Sequence, residues 1–151
     1  MPRGEGAHMY EVSNDMNRRT VTVRLSGFIR PNEMKDFATA YRNATDAYGG
    51  GRHLVLADMR GLRTLEPESA AIFGEVVLYG RQHGCQMCAH VSDSTISRLQ
   101  TARVASEQSP DDDITVDCVS VDEAHVQLAK TRARLFLGTE HTAPLAQAVG
   151  R

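Results

Sequence analysis

One stretch of the chain, residues 52–79, constrains the fold more than any other. It begins with an apolar strand over residues 53–59, passes through a short loop and enters a helix near Pro67. Leu54 to Ala57 form a continuous apolar run, which is typical of a central strand covered on both faces. This order predicts an α/β domain. Such domains usually place their binding sites in the loops that follow the carboxyl ends of their strands.

The same alternation of strands and helices continues along the whole chain. Apart from the central strand, strands are expected at residues 10–13, 19–25, 86–91 and 114–120. Helices are expected at residues 31–48 and 66–83, after the capping residues 92–95, and after Ser120. The turn-forming residues 13–17 predict an antiparallel hairpin between the first two strands. Strands separated by helices predict parallel pairing through right-handed crossovers. The predicted fold is therefore a single-domain α/β mixed sheet of about five strands with four helices and an antiparallel edge hairpin at the N-terminus.

Apolar spacing predicts which face each helix buries. The first helix repeats apolar residues at steps of three and four, at Met34, Phe37, Tyr41, Ala44 and Tyr48. The second helix is apolar nearly all round, so it is either deeply buried or offers a second face to a partner or ligand. Gly74 in its middle predicts close packing on a neighbouring element or an exposed groove. In the third helix we expect Ile96, Leu99 and Ala102 to face inward.

Length and charge limit the classes of protein that remain. A chain of 151 residues suits one domain, and a net charge of −2 gives no general attraction to nucleic acid or anionic membranes. Its longest apolar runs are a few residues, so no membrane span is expected. The N-terminus has no apolar signal segment, which favours a cytoplasmic protein. We expect residues 1–8 to be a disordered lead or a leftover of expression cloning, residues 9–138 to form the domain, and residues 139–151 to be a flexible tail.

The cysteines and histidines do not predict a cofactor or metal. Cys85 and Cys88 form a C-x-x-C within a predicted strand, where residues three apart point to opposite faces and lie about 10 Å apart. A disulfide needs a separation below roughly 7 Å between Cα atoms, so structural burial is the favoured interpretation over redox or metal chemistry. The histidines show no metal-binding spacing. Residues 49–51, three glycines, predict a flexible connector, and the acidic residues 111–113 predict a solvated turn.

Three segments give the chain a resemblance to a known family. They are Val21 to Gly27, Leu54 to Leu62, and His83 to Val91 followed by Asp93 and Ser94. In pattern and order they resemble the STAS domains, specifically the SpoIIAA-like branch that is grouped with SEC14-type lipid-binding domains. The resemblance covers about residues 9–137 and implies a regulatory module that acts by protein contact at the loop after the central strand. The SEC14 kinship implies, as an alternative, a carrier or sensor of a small apolar or amphipathic ligand.

The chain departs from this family at the regulatory loop. In the phospho-regulated members, an Asp-Ser-Ser-Gly sequence ends the loop, and its first serine is phosphorylated. Gap-free alignment places Glu66 on the acid and Pro67 on that serine, and proline has no hydroxyl to modify. Thr64 and Ser69 are the nearby hydroxyls that could substitute. A phosphate at Ser69 would lie in the first turn of a helix, where negative charge is tolerated.

Two groups of residues are candidates for an interaction or anion-binding site. Asp58 ends the central strand beside Arg60 and Arg63, which could hold an anion or simply brace the loop. Ser94 precedes a predicted helix whose N-terminus could bind a phosphate with help from Arg98, or could be an ordinary cap. Our first hypothesis is a non-catalytic module that binds a protein partner or a second copy of itself. The second is a small apolar ligand, and the third is an enzyme that acts on an anionic substrate through Asp58 and its arginines.

Overall fold

A computed structural model of the chain describes residues 10–108 and 114–137. The strands are β1 (Tyr10–Asp15), β2 (Thr20–Leu25), β3 (His53–Asp58), β4 (Cys85–Val91) and β5 (Thr115–Cys118). The helices are α1 (Pro31–Asp46), α2 (Pro67–Gln82), α3 (Thr95–Gln108) and α4 (Val121–Arg132), and a π-helical turn (Ala133–Leu137) follows α4. The predicted lead at residues 1–8, the acidic turn at 111–113 and the tail at 139–151 lie outside the described residues.

The five strands form one mixed sheet in the order β1-β2-β3-β4-β5. β1 pairs antiparallel with β2, with Tyr10 opposite Leu25 and Asp15 opposite Thr20, and every later pair is parallel. The strand order follows the chain order because each parallel crossover moves one strand in the same direction. The predicted class, a five-stranded mixed sheet with four helices and an N-terminal edge hairpin, is confirmed.

The helices divide between the two faces of the sheet. Alternate residues of β3 show this, because Val55 and Ala57 join the apolar cluster that includes α1 and α2, while Leu54 and Leu56 join the cluster that includes α4. α2 packs against both α1 and α3, so these three helices share one face. All six residues of β3 are buried, as the continuous apolar run predicted.

The apolar side chains of α2 are used inside the domain. α1 buries Met34, Phe37 and Tyr41 as predicted, and α2 lies between α1 and α3. The large apolar side chains of α2 are buried or half-buried. A Cβ added at Gly74 would lie 3.1 Å from Cγ1 of Val104, so the glycine permits close packing of α2 on α3. The packing therefore accounts for the apolar character of α2 without a partner chain.

The predicted inward face of α3 is wrong. Ile96 is 70% exposed, Leu99 is 60% exposed and Ala102 is also exposed. α3 instead buries Ser97, Thr101 and Val104. The polar residues can lie inside because their hydroxyls are bonded: Ser97 Oγ donates to the Leu62 carbonyl at 2.7 Å, and Thr101 Oγ1 to the Arg98 carbonyl at 3.0 Å.

The prediction that Cys85 and Cys88 face opposite sides is also wrong. Both belong to the apolar cluster on the α1–α2 face, whereas Met87 belongs to the cluster on the α4 face. The reason is a bulge: His53 pairs with Cys85 but Leu54 pairs with Met87, so Gln86 is an extra residue in the ladder. All three cysteines are free thiols.

The helix expected after Ser120 is present, and Ser120 is its N-cap. The Ser120 Oγ accepts a hydrogen bond from the Glu123 amide at 3.0 Å, and Glu123 accepts one from the Val119 amide at 2.7 Å. α4 then buries Ala124 and Leu128 against the second face of the sheet. Among the helices within the described ranges, none is both long enough and apolar enough to cross a membrane.

Buried histidines predict that the protein loses stability in acid. His53 is fully buried, and burial lowers its pKa below the ordinary value of 6.5. Burial also lowers the pKa of His90. Below pH 6.5 the unfolded chain therefore binds protons that the folded chain does not bind. The free energy of unfolding should then fall as the pH drops, by up to about 1.4 kcal/mol per pH unit for each histidine.

Chemical denaturation of the wild type and His53→Phe between neutral pH and about pH 5 checks this linkage. The free energy of unfolding of His53→Phe should depend less steeply on pH than that of the wild type. The exposed His125 provides the matched control, and His125→Phe should leave the slope unchanged. Equal slopes in the wild type and His53→Phe would contradict the assignment to His53.

Candidate functional site

Asp58 lies at the carboxyl end of β3 and is held by two arginines. Its Oδ2 accepts a hydrogen bond from Nη1 of Arg24 at 2.8 Å and from Nη2 of Arg60 at 2.8 Å. Its Oδ1 accepts from Nε of Arg60 at 2.9 Å and from the Arg60 amide at 3.2 Å. Hydrogen bonds from Arg60 are the main cause that lowers the pKa of Asp58. The carboxylate is thus a fully bonded anion, which fits the bracing role better than that of a base.

The loop that follows Asp58 is fixed to its neighbours. The Gly27 amide donates to the Gly61 carbonyl at 2.8 Å, and the Arg63 amide donates to the Gly27 carbonyl at 3.0 Å. Gln100 of α3 bonds both backbone groups of Leu65, accepting from the amide at 2.7 Å and donating to the carbonyl at 2.9 Å. These bonds fix the loop between β3 and α2, residues 59–66, which we call the rim. The rim lies at the carboxyl end of β3.

The hydroxyls proposed as substitute phosphoacceptors have different environments. Ser69 is fully buried, and its Oγ donates to the Ile29 carbonyl at 3.0 Å, so a kinase has no access to it in this conformation. Thr64 is exposed in the rim. Arg63, also predicted as a site residue, is exposed beside it. Thr64 is therefore the accessible one of the two hydroxyls.

The two residues of the second predicted group, Ser94 and Arg98, have separate roles. The Ser94 Oγ accepts from the Ser97 amide at 3.2 Å, which is ordinary capping of α3. Asp93 accepts from the Gly61 amide at 2.9 Å and ties the start of α3 to the rim. Arg98, expected to assist an anion at Ser94, instead lines a cavity beneath α3.

We expect Asp58→Asn to destabilise the protein by about 1–2 kcal/mol at neutral pH, because an amide cannot replace charge-assisted hydrogen bonds to Arg24 and Arg60. Both arginines are partly exposed, which keeps the effect below that of a fully buried pair. The lowered pKa means that the carboxylate stabilises the fold above the ordinary value of 3.8, and this contribution is lost as the pH falls through the lower folded value.

Urea denaturation at neutral and acidic pH measures the difference in free energy of unfolding between the wild type and Asp58→Asn. This difference should become smaller in acid. Asp36→Asn is a suitable control, since Asp36 is an exposed aspartate of α1. A variant of Asp58 as stable as the control would mean that the bracing role is absent.

An apolar cavity lies between the sheet and the helices α2 and α3. Its volume is about 260 Å³. Aliphatic and aromatic side chains form most of its wall, including Phe37, Val55, Met59, Phe73, Val76 and Ile114. Exposed lining residues on α3 and β5, Ala102, Ser106 and Thr115, show where it reaches the surface. The cavity is thus an apolar chamber with an opening between α3 and β5.

The cavity exists because α3 rests on α2 rather than on the sheet. Within the described residues, α3 packs against α2, and its backbone does not approach β4 or β5 closely. The α3 residues that line the gap are small or polar, for example Thr101, Ala102 and Ala105. Gly80 of α2 instead permits close packing of α1 on α2, since a Cβ there would collide with the Tyr41 hydroxyl. The cavity therefore remains unfilled because these side chains of α3 are short.

One end of the cavity carries polar groups. His90 of β4 is opposite Asp117 of β5 in the ladder, and its Nδ1 lies 3.3 Å from Oδ1 of Asp117. His90 is only 7% exposed, and its Nε2 is buried without a hydrogen-bond partner among the described residues. Burial lowers the pKa of His90 although Asp117 opposes the effect, so the imidazole is neutral at neutral pH. Arg81 of α2 and Arg98 of α3 are cations that line the same cavity.

Across residues 10–108 and 114–137, no group of three or more His, Cys, Asp or Glu side chains is arranged to hold a metal ion. Comparison with protein-family models, curated proteins and solved structures gives no match to this chain. The candidate sites are therefore defined by their geometry: the rim after β3 and the apolar cavity under α3.

The sequence pointed to the rim but not to the cavity. A signal was present in β4, where Cys88 and His90 occupy alternate positions and therefore share one face of the strand. A histidine on the buried face of a strand, together with the small residues Ala102 and Ala105 on the next helix, indicates an unfilled space. The wrong inward face assigned to α3 hid this combination.

Proposed function

We propose that this protein is a non-catalytic carrier or sensor that holds a small, mostly apolar ligand in the cavity under α3. The observation that carries the proposal is the cavity itself: about 260 Å³, apolar over most of its wall, with His90 at one end. Ligand sites in proteins share this design, a concave apolar lining with a few polar groups that fix orientation.

Energetics favour the same function. The cavity opens between α3 and β5, so part of its apolar lining contacts water. A ligand that covers this lining gains about 25 cal/mol per Å² of apolar surface removed from water. The resemblance to SEC14-type domains leads to the same expectation. The ligand is a cytoplasmic metabolite or lipid fragment in this proposal.

Two measurements on freshly purified protein test the proposal. Native mass spectrometry should detect a small molecule bound to a fraction of the chains, released on denaturation. After removal of that molecule, naphthalene should bind and raise the melting temperature, because a dry cavity of about 150 Å³ already holds benzene and this one is larger. Absence of a bound molecule together with no naphthalene binding would overturn the proposal.

The exposed surface at the rim favours a second candidate function, contact with another copy of the chain. Ile96 and Leu99 expose apolar side chains on the helix to which the rim is bonded. The rim itself exposes both Arg63 and Glu66. A two-fold contact needs a self-complementary surface, and opposite charges beside apolar residues meet that need. The same surface is where the STAS resemblance implies protein contact.

Light scattering over a range of concentrations tests this second candidate. The wild type should form a dimer, and Ile96→Ser combined with Leu99→Ser should shift it to the monomer. Val126→Ser, at an exposed apolar residue of α4, is the control and should leave the dimer intact. A monomeric wild type at all concentrations would exclude self-association through this surface.

A further inference from the structure

Cys85 and Cys88 of β4 lie on the same wall of the cavity under α3. At the bulge, Cys85 pairs with His53, and Cys88 pairs with Val55, two residues further along β3. Both thiols therefore face the α1–α2 side of the sheet, and both line the cavity, Cys85 buried and Cys88 half-buried. The placement on opposite faces that argued against metal chemistry for this C-x-x-C is thus absent.

The phenol of Tyr41 shares this part of the cavity with the two thiols. Tyr41 lines the same cavity on the side of α1. Burial raises the pKa of Tyr41, and the neighbouring Cys85 and Cys88 raise it further. Both sulfurs are therefore within electrostatic range of one hydroxyl group, which places the two thiols together at one part of the wall.

The separation of the two thiols suits a bridging metal ion better than a disulfide. Their partners in β3 are two residues apart, so the two positions lie roughly 7 Å apart along the strand. A disulfide needs Cβ atoms about 3.5–4.5 Å apart, because the bond between its sulfurs is only about 2 Å long. Two thiolates on opposite sides of one metal ion, each bonded at about 2.3 Å, span about 4.6 Å. The ion therefore bridges the gap with less movement of the backbone.

We propose that Cys85 and Cys88 bind one Cu(I) ion as a two-coordinate site. Soft thiolate ligands select Cu(I). On binding, each S–H group loses its proton to solvent, two S–Cu bonds form, and the copper stays in the +1 state. A two-coordinate site agrees with the lack of any larger metal-binding cluster in the part of the chain that the structure describes. The site goes beyond the proposed apolar ligand and does not depend on it.

The charges in the cavity favour a monovalent ion over zinc. Two thiolates and Cu(I) form a complex with one net negative charge, and a buried charge needs an opposite charge nearby. The cavity lining contains two cations, Arg81 and Arg98, against the single carboxylate of Asp117. The surplus cation offsets the charge of the complex. Zinc prefers four ligands, and the two thiols supply only half of that set.

Anaerobic titration of the reduced full chain with Cu(I), in competition with the chromophoric chelator bicinchoninate, tests the site. We expect one Cu(I) per chain. Cys85→Ser and Cys88→Ser should each lower the affinity by more than about a hundredfold, since loss of a group behind a metal ligand already costs about 10–100-fold. Cys118→Ser is the matched control, because Cys118 is also buried but lies in the cluster on the α4 face, and this variant should bind as the wild type does.

X-ray absorption at the copper edge tests the same site on the wild type, so the answer does not depend on how the variants fold. The proposal predicts two sulfur neighbours and no nitrogen neighbour. Any other ligand set would overturn it, as would retained Cu(I) binding in the double variant or Zn(II) bound as tightly as Cu(I). Failure to bind copper would leave the apolar-ligand function standing, and failure to bind naphthalene would leave the copper site standing.

Discussion

Ala105→Phe should abolish ligand binding and stabilise the protein in the same experiment. Ala105 lies on α3 and lines the cavity, so a phenyl group at this position occupies the space that a ligand would take. We expect the affinity for naphthalene to fall by more than about a hundredfold. Filling a cavity commonly adds about 0.5–2 kcal/mol, which corresponds to a rise of about 2–6 °C in the melting temperature of a domain this size.

Ala129→Phe is the matched control for that variant. Ala129 is an exposed alanine of α4, on the opposite face of the sheet, so the same substitution there should leave ligand affinity unchanged. Isothermal titration calorimetry and a thermal melt measure both quantities on the same samples. Retained binding in Ala105→Phe would mean that the ligand occupies another place, and a lowered melting temperature would mean that the cavity does not accept the ring.

Gly84→Ala should cause the largest loss of stability among the substitutions considered. Gly84 connects α2 to β4 with a φ of +104°, a conformation that residues with a side chain rarely adopt. A Cβ there would collide with the carbonyl oxygen of Gly51 and lie 2.9 Å from that of Gly50. Backbone atoms cannot rotate away as side chains do. We therefore expect a loss of about 3–5 kcal/mol, seen as a fall in the denaturation midpoint.

Gly49→Ala separates the steric effect from the conformational one. Gly49 also has a positive φ, +58°, but an added Cβ would meet no atom within 4 Å. This variant should lose about 1 kcal/mol, the cost of the left-handed conformation alone. If the two variants were equally stable, the contact of Gly84 with the glycine connector would not be the cause of the larger loss.

Much of the fold could be predicted because several segments have only one compatible structure. Leu54 to Ala57 are apolar without interruption, so they fit a strand covered on both faces. Met34, Phe37 and Tyr41 recur at helical spacing and are buried. In these segments local pattern and tertiary packing agree, and periodicity therefore gave the correct element and the correct face.

The cavity could not be predicted because it depends on how α3 packs against the domain, and the helical pattern of α3 does not determine that packing. Periodicity placed Ile96 and Leu99 inward, yet hydrogen bonds of Ser97 and Gln100 to the rim turn the opposite side of α3 toward the domain. Such bonds reach across 35 residues and leave no local pattern. The bulge at Gln86 is similar, since it sets the face of Cys85 through pairing with another strand.

Because α3 is bonded to the rim at its N-terminal end and walls the cavity along its length, the two candidate sites share one structural element. Gln100 bonds both backbone groups of Leu65, so a displacement of α3 by a molecule beneath it would also move the loop after β3. Thermodynamic linkage then requires reciprocity. A partner that binds the rim and favours one position of α3 changes the affinity of the cavity for its ligand by some factor. The ligand in the cavity changes the affinity of the rim for its partner by the same factor. Two binding events would thus communicate through α3, the helix whose buried face sequence periodicity predicted wrongly.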